Sequence, residues 1–173
     1  MNVILYMAMT ANGYIATEQE DAPWSQEIWD AYYDFISKKG NIIVGRRTYE
    51  MMEATGNEFQ KLGNPTVIIV SRWLKEQDNH NTTIVASPRE ALEALEQKGF
   101  KEAVVGGGSM LNAGFLKDGL IDEIYLDIEP RIFGKGIRLF SEIDADVKLE
   151  LLEMKTLSPH IVRLHYQTKK ERA

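Results

Sequence analysis

The sequence contains no cysteine and only three histidines. Disulfide bridges, thiolate metal sites and cysteine nucleophiles are therefore excluded. The histidines, His80, His160 and His165, lack the spacing of metal-binding motifs, and no serine stands in a nucleophile elbow. We therefore expect no metal site, and hydrolytic chemistry is disfavoured.

The chain also lacks long hydrophobic runs and an excess of positive charge. No apolar run approaches the length that crosses a bilayer, and no basic region precedes the apolar N-terminal residues as it does in a signal peptide. The formal net charge is -6, so nucleic acid is not an expected partner and any phosphate site must be locally basic. We expect a cytoplasmic protein that acts on a small molecule and has no membrane partner.

Hydrophobic patterning predicts one domain over residues 1–173, a length that suits one sizeable core. Apolar runs alternate with helical periods and are followed by two closing strands. This pattern predicts a three-layer α/β/α domain with a mainly parallel central sheet and an antiparallel C-terminal hairpin. Helices are predicted to begin near Ser25, Thr48, Ser87 and Ser109. The predicted strands cover residues 3–9, 14–16, 41–44, 66–70, 82–85, 103–105, 121–128, 147–154 and 161–166.

Three local patterns give sharper expectations. Ser87-Pro88-Arg89-Glu90 is a capping box with proline at the first helical position. Gly40 is placed to end the helix that Ser25 begins. Along 121–128 the side chains alternate between two faces of a predicted strand, with Glu123, Tyr125 and Asp127 on one face and Ile124, Leu126 and Ile128 on the other.

Three consecutive glycines, Gly106, Gly107 and Gly108, form the most informative motif of the chain. They follow the apolar run 103–105, which predicts a buried strand, and they precede Ser109, which can cap a helix. Glycine has no Cβ, so another molecule can approach this turn closely, and the helix start favours a phosphate. A tight turn that binds nothing is the alternative interpretation.

Two common phosphate-binding motifs are excluded at this turn. The dinucleotide fingerprint needs a third glycine at position 111, where Leu111 stands. The P-loop needs Gly-Lys-Ser or Gly-Lys-Thr, which no glycine of the triplet provides. The triplet therefore belongs to a different nucleotide-binding design.

Two further strand ends carry residues suited to a nucleotide. The run 41–44 is followed by Gly45-Arg46-Arg47-Thr48, and the run 66–70 ends in Ser71-Arg72. Parallel strands share their direction, so these ends and the glycine triplet would open on the same edge of the sheet. We interpret the convergence as one nucleotide site, with arginines on a solvated surface as the alternative.

Four segments, in this order and spacing, resemble dihydrofolate reductase. They are the segment from Ala8 to Ile15, Gly45-Arg46-Arg47-Thr48-Tyr49-Glu50, Val67-Ile68-Ile69-Val70-Ser71-Arg72 and Val104-Val105-Gly106-Gly107-Gly108. Other segments are similar to the reductase domain of the riboflavin-biosynthesis deaminase–reductase. These are Met9-Thr10-Ala11-Asn12-Gly13-Tyr14-Ile15-Ala16, Tyr125-Leu126-Asp127-Ile128-Glu129-Pro130, Gly134-Lys135-Gly136 and Leu139-Phe140. The resemblance covers nearly the whole chain and implies a dihydrofolate reductase-like fold.

The resemblance implies an NADPH-dependent reductase that passes a hydride to a small heterocycle, similar to the phosphoribosylaminouracil reductase of riboflavin biosynthesis. The glycine turns would hold the pyrophosphate, the arginines and Ser71 the 2′-phosphate, and Ala8 and Ile15 would flank the nicotinamide. The chemistry agrees, since helix starts suit a diphosphate and guanidinium groups suit a phosphate dianion. The implied cofactor-binding residues are Ala8, Ile15, Gly45, Arg46, Arg47, Thr48, Ser71, Arg72, Val105, Gly106, Gly107, Gly108, Ser109, Met110 and Leu111.

Two departures from these families bear on the substrate. The acid that dihydrofolate reductases carry in the first long helix corresponds to Trp29, so a folate ring would lack its carboxylate partner. Asn12 stands where the riboflavin reductases usually have aspartate. We predict that the substrate wall includes Asn12, Trp29 and Pro130. No catalytic acid or base is assigned, because water can supply the proton.

Two alternatives stay open at this point. One is a dihydrofolate reductase that uses Asp30 or Glu27 as its acid. The other is a non-catalytic nucleotide-binding module that kept the glycine turns and lost turnover. The zinc motif of the deaminase half is absent, because it requires cysteine. The resemblance and the strand-rich C-terminal part also suggest a homodimer.

Overall fold

The structure is a computed structural model that describes residues 1–74 and 81–169. His80 and residues 170–173 lie outside this part of the chain. In chain order the elements are β1 (Asn2–Thr10), β2 (Tyr14–Ala16), α1 (Gln26–Lys39), β3 (Asn41–Gly45), α2 (Arg46–Ala54), α3 (Glu58–Lys61), β4 (Thr66–Val70), β5 (Thr82–Val85), α4 (Pro88–Gln97), β6 (Glu102–Val105), α5 (Ser109–Lys117), β7 (Glu123–Glu129), β8 (Ile137–Arg138), β9 (Leu149–Ser158) and β10 (Ile161–Thr168). Within the described ranges, no helix is long and apolar enough to cross a membrane.

Eight strands form one sheet in the order β5-β4-β3-β6-β1-β7-β10-β9. The six strands from β5 to β7 all run parallel to one another, whereas β10 runs antiparallel to both β7 and β9. The predicted parallel sheet with an antiparallel C-terminal hairpin is therefore confirmed. A separate two-stranded sheet pairs β2 with β8, a strand of two residues that is too short to give a sequence pattern.

Helices cover both faces of the sheet, which confirms the predicted three layers. On one face, Ile36 of α1 and Tyr49 of α2 pack against Val104. On the other face, Leu95 of α4 and Phe115 of α5 belong to the cluster that contains Val105. Neighbouring residues of a strand point to opposite faces, so a strand buried on both sides is apolar throughout.

The element boundaries follow the local signals with two corrections. Ser87 caps α4 as predicted, since its Oγ accepts from the Glu90 amide at 3.3 Å. The Ala86 amide and the Ser87 hydroxyl in turn donate to the Glu90 carboxylate and lower its pKa. Gly40 ends α1 in the left-handed conformation, with φ of 70°. Ser109 does not cap α5, because it is the first helical residue and Gly108 takes the cap position. Ser25 occupies the cap position of α1, but its hydroxyl donates to Glu129 Oε2 at 3.0 Å instead.

Asp127, which the alternation along β7 places on the face opposite the apolar residues, is not exposed to solvent but fully buried. Its carboxylate accepts from Tyr6 Oη at 2.5 Å and from Arg163 Nε and Nη2 at 2.6 and 2.7 Å. Arg163 Nη2 also donates to Tyr6 Oη at 2.6 Å. Burial, followed by the charge of Asp127, raises the pKa of Tyr6. This network joins β1, β7 and β10, three neighbouring strands of the sheet.

Removing the cation of this network should destabilise the fold strongly. We expect Arg163→Met to lower the free energy of unfolding by about 3–5 kcal/mol, because the buried Asp127 carboxylate loses its charged partner. Urea unfolding at neutral pH measures the effect. The exposed Arg89→Met is the matched control and should change stability little. Equal unfolding midpoints for the two variants would contradict this account of the network.

Candidate functional site

A cavity of about 1440 Å³ opens at the edge of the sheet where the parallel strands end. Met7 and Ala8 of β1, Gly45 of β3, Ser71 after β4 and Gly106 after β6 all contribute to its wall. The convergence that the sequence predicted is therefore present in the fold. This edge is the usual place for ligands in α/β proteins.

Most of the predicted cofactor-binding residues line this cavity, although their binding role stays a prediction. Two do not. Val105 is fully buried in the core, and Gly107 is a buried residue of the turn that does not line the cavity. Those that line the cavity are Ala8, Ile15, Gly45, Arg46, Arg47, Thr48, Ser71, Arg72, Gly106, Gly108, Ser109, Met110 and Leu111.

Packing within the protein itself favours glycine at two positions of the triplet. A Cβ on Gly106 would lie 2.6 Å from Ile42 Cδ1, and one on Gly107 would lie 3.1 Å from Met7 Cε. Gly107 also has φ of 96°, a conformation that favours glycine. At positions 106 and 107 the space that a Cβ would occupy is thus taken by protein side chains, and the binding of a ligand by the triplet stays a prediction.

Two helix N-termini meet at this turn. Gly45 caps α2 and Gly108 caps α5, and neither helix has a side-chain capping hydrogen bond. Gly45 N donates to the Gly107 carbonyl at 2.8 Å, which holds the two strand ends together. The first N–H groups of a helix have no partner inside it and carry partial positive charge. The pair of helix starts is therefore suited to an anion with several oxygens.

The three arginines at the cavity differ in their pairing. Arg46 Nη1 donates to Glu50 at 2.8 Å, and Arg47 Nη1 donates to Glu20 at 3.1 Å. The guanidinium of Arg72 makes no hydrogen bond or ion pair with residues 1–74 or 81–169. Its neighbour Ser71 accepts through Oγ from two backbone amides, so its hydroxyl proton can still be donated. Arg72 is thus the arginine most available to a ligand.

Of the three predicted substrate residues, the structure brings only Trp29 to the cavity. Both polar atoms of the Asn12 amide instead bond to the backbone of Phe133, at 2.7 and 3.2 Å, and fix the loop between β7 and β8. Pro130 is exposed and does not line the cavity. Because neither residue lines the cavity, the positions of Asn12 and Pro130 do not favour contact with a substrate there, and their predicted role stays a prediction.

The two carboxylates considered as replacements for the missing acid are also outside the cavity. Asp30 and Glu27 are exposed residues of α1. Asp30 accepts a hydrogen bond from Gln26 Nε2 at 2.8 Å. Trp29 lies between them in sequence but faces the cavity, because residues adjacent along a helix point about 100° apart.

Sequence analysis missed three carboxylates that line the cavity, Glu20, Asp21 and Glu58, of which only Glu58 is buried. Glu58, in the four-residue helix α3, is only 8% exposed. Tyr33 Oη donates to Glu58 Oε2 at 3.3 Å, and burial raises the pKa of Tyr33 to about 12, with the Glu58 charge contributing. A helix of four residues is too short for the periodicity that marks longer helices. Within the part of the chain that is described, no cluster of metal-ligating side chains is found.

The fold and the strand-end cavity define a dihydrofolate reductase-like protein. The family model of the RibD C-terminal domain matches residues 1–163. The chain belongs to this family.

Two relatives match nearly the whole chain. The uncharacterized protein YwjB of Bacillus subtilis (strain 168) is 30% identical over 167 residues, which are 94% of this chain and 95% of that protein. Dihydrofolate reductase type 1 of Escherichia coli is 29% identical over 154 residues, 86% of this chain and 87% of the reductase. The predicted superfamily is confirmed, and family membership supports a reductase role.

Solved structures show the same fold. A Shewanella sp. PV-4 protein described as a riboflavin biosynthesis protein superposes with a TM-score of 0.84 at 21% identity, covering 98% of this chain and 100% of that one. The Thermotoga maritima deaminase/5-amino-6-(5-phosphoribosylamino)uracil reductase superposes with a TM-score of 0.74 at 16% identity. That superposition covers 97% of this chain and 56% of the Thermotoga protein.

A Cβ at position 106 should be costly even without a ligand. We expect Gly106→Ala to destabilise the protein by about 1–3 kcal/mol, because the added carbon overpacks against Ile42. The double variant Gly106→Ala, Ile42→Val should recover part of the loss, since valine lacks the Cδ1 atom that is nearest. Urea unfolding of both variants tests this.

Gly45→Ala is the matched control for this experiment. Its added carbon would make ordinary contacts of 3.8 Å or more, and the backbone there has φ of -76°. Its unfolding midpoint should stay near that of the parent. If Gly106→Ala and Gly45→Ala unfold alike, the packing explanation for Gly106 is wrong.

Proposed function

We propose that the protein is an NADPH-dependent reductase that transfers a hydride to a small heterocyclic substrate. The observation that carries the proposal is the meeting, at one cavity, of two helix N-termini without side-chain caps and the Arg72 guanidinium, which has no hydrogen-bond or ion-pair partner among residues 1–74 and 81–169. The RibD C-terminal family supports the reductase class. The uracil reductase activity in the description of the Thermotoga protein supports an aminopyrimidine substrate of similar kind.

The residues present fit a dinucleotide phosphate. The backbone N–H groups at residues 46–48 and 108–111 would bind the pyrophosphate, while the Gly45 N–H stays bonded to the Gly107 carbonyl. Arg72, with the hydroxyl of Ser71, would bind the 2′-phosphate, and Ala8 and Ile15 would flank the nicotinamide. When bound, this cofactor supplies the hydride, and the protein orients it against the substrate.

The substrate is proposed to occupy the part of the cavity beside Trp29. The apolar and aromatic side chains there exclude water from the reacting ring. Since Trp29 replaces the acid of dihydrofolate reductases, we propose that a water molecule delivers the proton. The exposure of Asp30 and Glu27 does not favour the alternative in which one of them is the acid.

The proposal includes a homodimer, which is favoured by the apolar face of the edge strand β9. Leu149, Leu151 and Met154 pair with Thr168, Tyr166 and Leu164 of β10 and so lie on one face. Their side chains are 41%, 54% and 67% exposed, and contiguous apolar surface of this kind marks an interaction site. Light scattering in solution measures the mass of the assembly. The cytoplasmic location stays a prediction.

The 2′-phosphate should decide the cofactor preference. We expect NADPH to bind at least about tenfold more tightly than NADH at low salt, because one charge-assisted hydrogen bond contributes roughly 1.5–3 kcal/mol. Higher salt should narrow the difference, since it screens the exposed arginine. Isothermal titration calorimetry gives both dissociation constants. Equal affinities in the parent protein would remove the phosphate role of Arg72.

Arg72→Ala should erase most of this preference and leave the affinity for NADH nearly unchanged. The expected asymmetry follows from the chemistry, because the two cofactors differ only in the 2′-phosphate. Arg89→Ala, an exposed arginine that does not line the cavity, is the control and should keep the parent preference. A loss of preference in both variants would show that general charge is responsible.

Turnover separates the proposed reductase from its alternatives. Oxidation of NADPH should be fast with a ribosylaminouracil substrate and slow with dihydrofolate, because no carboxylate stands at Trp29 to hold the pterin. Faster turnover with dihydrofolate that is lost in Asp30→Asn or Glu27→Gln would favour the folate enzyme. Tight NADPH binding without turnover of either substrate would favour the non-catalytic module.

A further inference from the structure

Glu58 is a buried carboxylate in the cavity wall that the proposed cofactor site does not use. Its side chain is 9% exposed, and its neighbours in the described part of the chain are Tyr33 Oη at 3.3 Å and Lys61 Nζ at 3.8 Å. Both contacts involve Oε2, and Oε1 accepts no hydrogen bond from these residues. An ionised carboxylate can accept about four hydrogen bonds. Glu58 therefore offers unused acceptor capacity to the cavity.

Aromatic rings stand beside this carboxylate. Trp29 and Tyr33 lie four residues apart on α1, and their rings are stacked at 21° with centroids 5.9 Å apart. Tyr32 meets Trp29 edge-on at 6.2 Å, and it also lines the cavity. Flat aromatic surfaces of this kind bind planar rings and cations through their faces.

We propose that Glu58 and the Trp29–Tyr33 ring pair form a subsite for the amino-bearing edge of a planar heterocycle. This deepens the proposed function, on which it rests, by naming the substrate class: a ring with N–H donors that is neutral or cationic at that edge. The carboxylate accepts charge-assisted hydrogen bonds from such an edge. It disfavours a ring edge of carbonyl groups, because a carbonyl oxygen and a carboxylate oxygen are both acceptors and no proton lies between them.

A purely structural role for Glu58 is the competing explanation. In that case the carboxylate would serve only to hold α3 against α1 through Tyr33 and Lys61. Both contacts are longer than the 2.7–2.9 Å typical of charge-assisted hydrogen bonds. Lys61 is also 45% exposed, so water screens its charge. The contacts that exist leave the carboxylate only weakly satisfied.

Calorimetry with two small probes tests the subsite. The parent protein should bind 5,6-diaminouracil at least about tenfold more tightly than uracil, which lacks the two amino groups. Glu58→Gln should remove this difference and leave the affinity for NADPH unchanged. Glu27→Gln removes an exposed carboxylate of α1 that is not in the cavity, and it should behave as the parent. Equal affinities for the two probes in the parent, or an unchanged difference in Glu58→Gln, would overturn the proposal.

A second variant moves the result in the opposite direction. Lys61→Met removes the cation that competes for Glu58 and should tighten 5,6-diaminouracil binding severalfold. Weaker binding in this variant would overturn the proposal, because it is the result expected if the Lys61 contact only supports the fold. Failure of NADPH to bind the parent would contradict the proposed function alone, since the probes report on Glu58 without the cofactor.

Discussion

The shared direction of six neighbouring strands is the constraint on which the rest of this structure depends. Because β1, β3, β4 and β6 all end at one edge, the residues that follow them are brought together although they are far apart in sequence. Each end leads into a loop or helix start whose N–H groups the strand cannot satisfy. The same geometry that buries the apolar strands therefore produces a cavity lined with hydrogen-bond donors.

The glycine triplet shows how closely packing and binding share the same residues. The side chains of Ile42 and Met7 occupy the space that a Cβ would need at Gly106 and Gly107, while Gly108 lines the cavity and caps α5. The hydrogen bond from Gly45 N to the Gly107 carbonyl sets the distance between the two helix starts. A side chain added at Gly106 or Gly107 would therefore act first on stability, because the proposed cofactor contacts are made by backbone N–H groups that such a change leaves in place.

Charge is distributed in this molecule according to the cost of burial. Asp127, which is fully buried, has both a bidentate arginine and a phenol as partners. The exposed pairs formed by Arg46 and Arg47 are solvated and contribute little to stability. Glu58 is intermediate, being nearly as buried as the core but weakly paired. Its weak pairing is the reason that we propose a ligand-binding role for it.

The sequence alone determined the layers, the direction of the sheet and the strand ends that open on the cavity. Apolar runs such as 41–44, the capping box at Ser87 and the glycine at position 40 are local signals, and local backbone preferences decide them. It could not determine the fates of Asn12, Asp127 and Glu58. Each depends on a partner far away in the chain: Phe133 for the amide, Arg163 for the buried aspartate and Tyr33 for the cavity carboxylate. Only the tertiary structure brings those partners within hydrogen-bond distance, and a polar side chain shows in sequence neither its burial nor its partner.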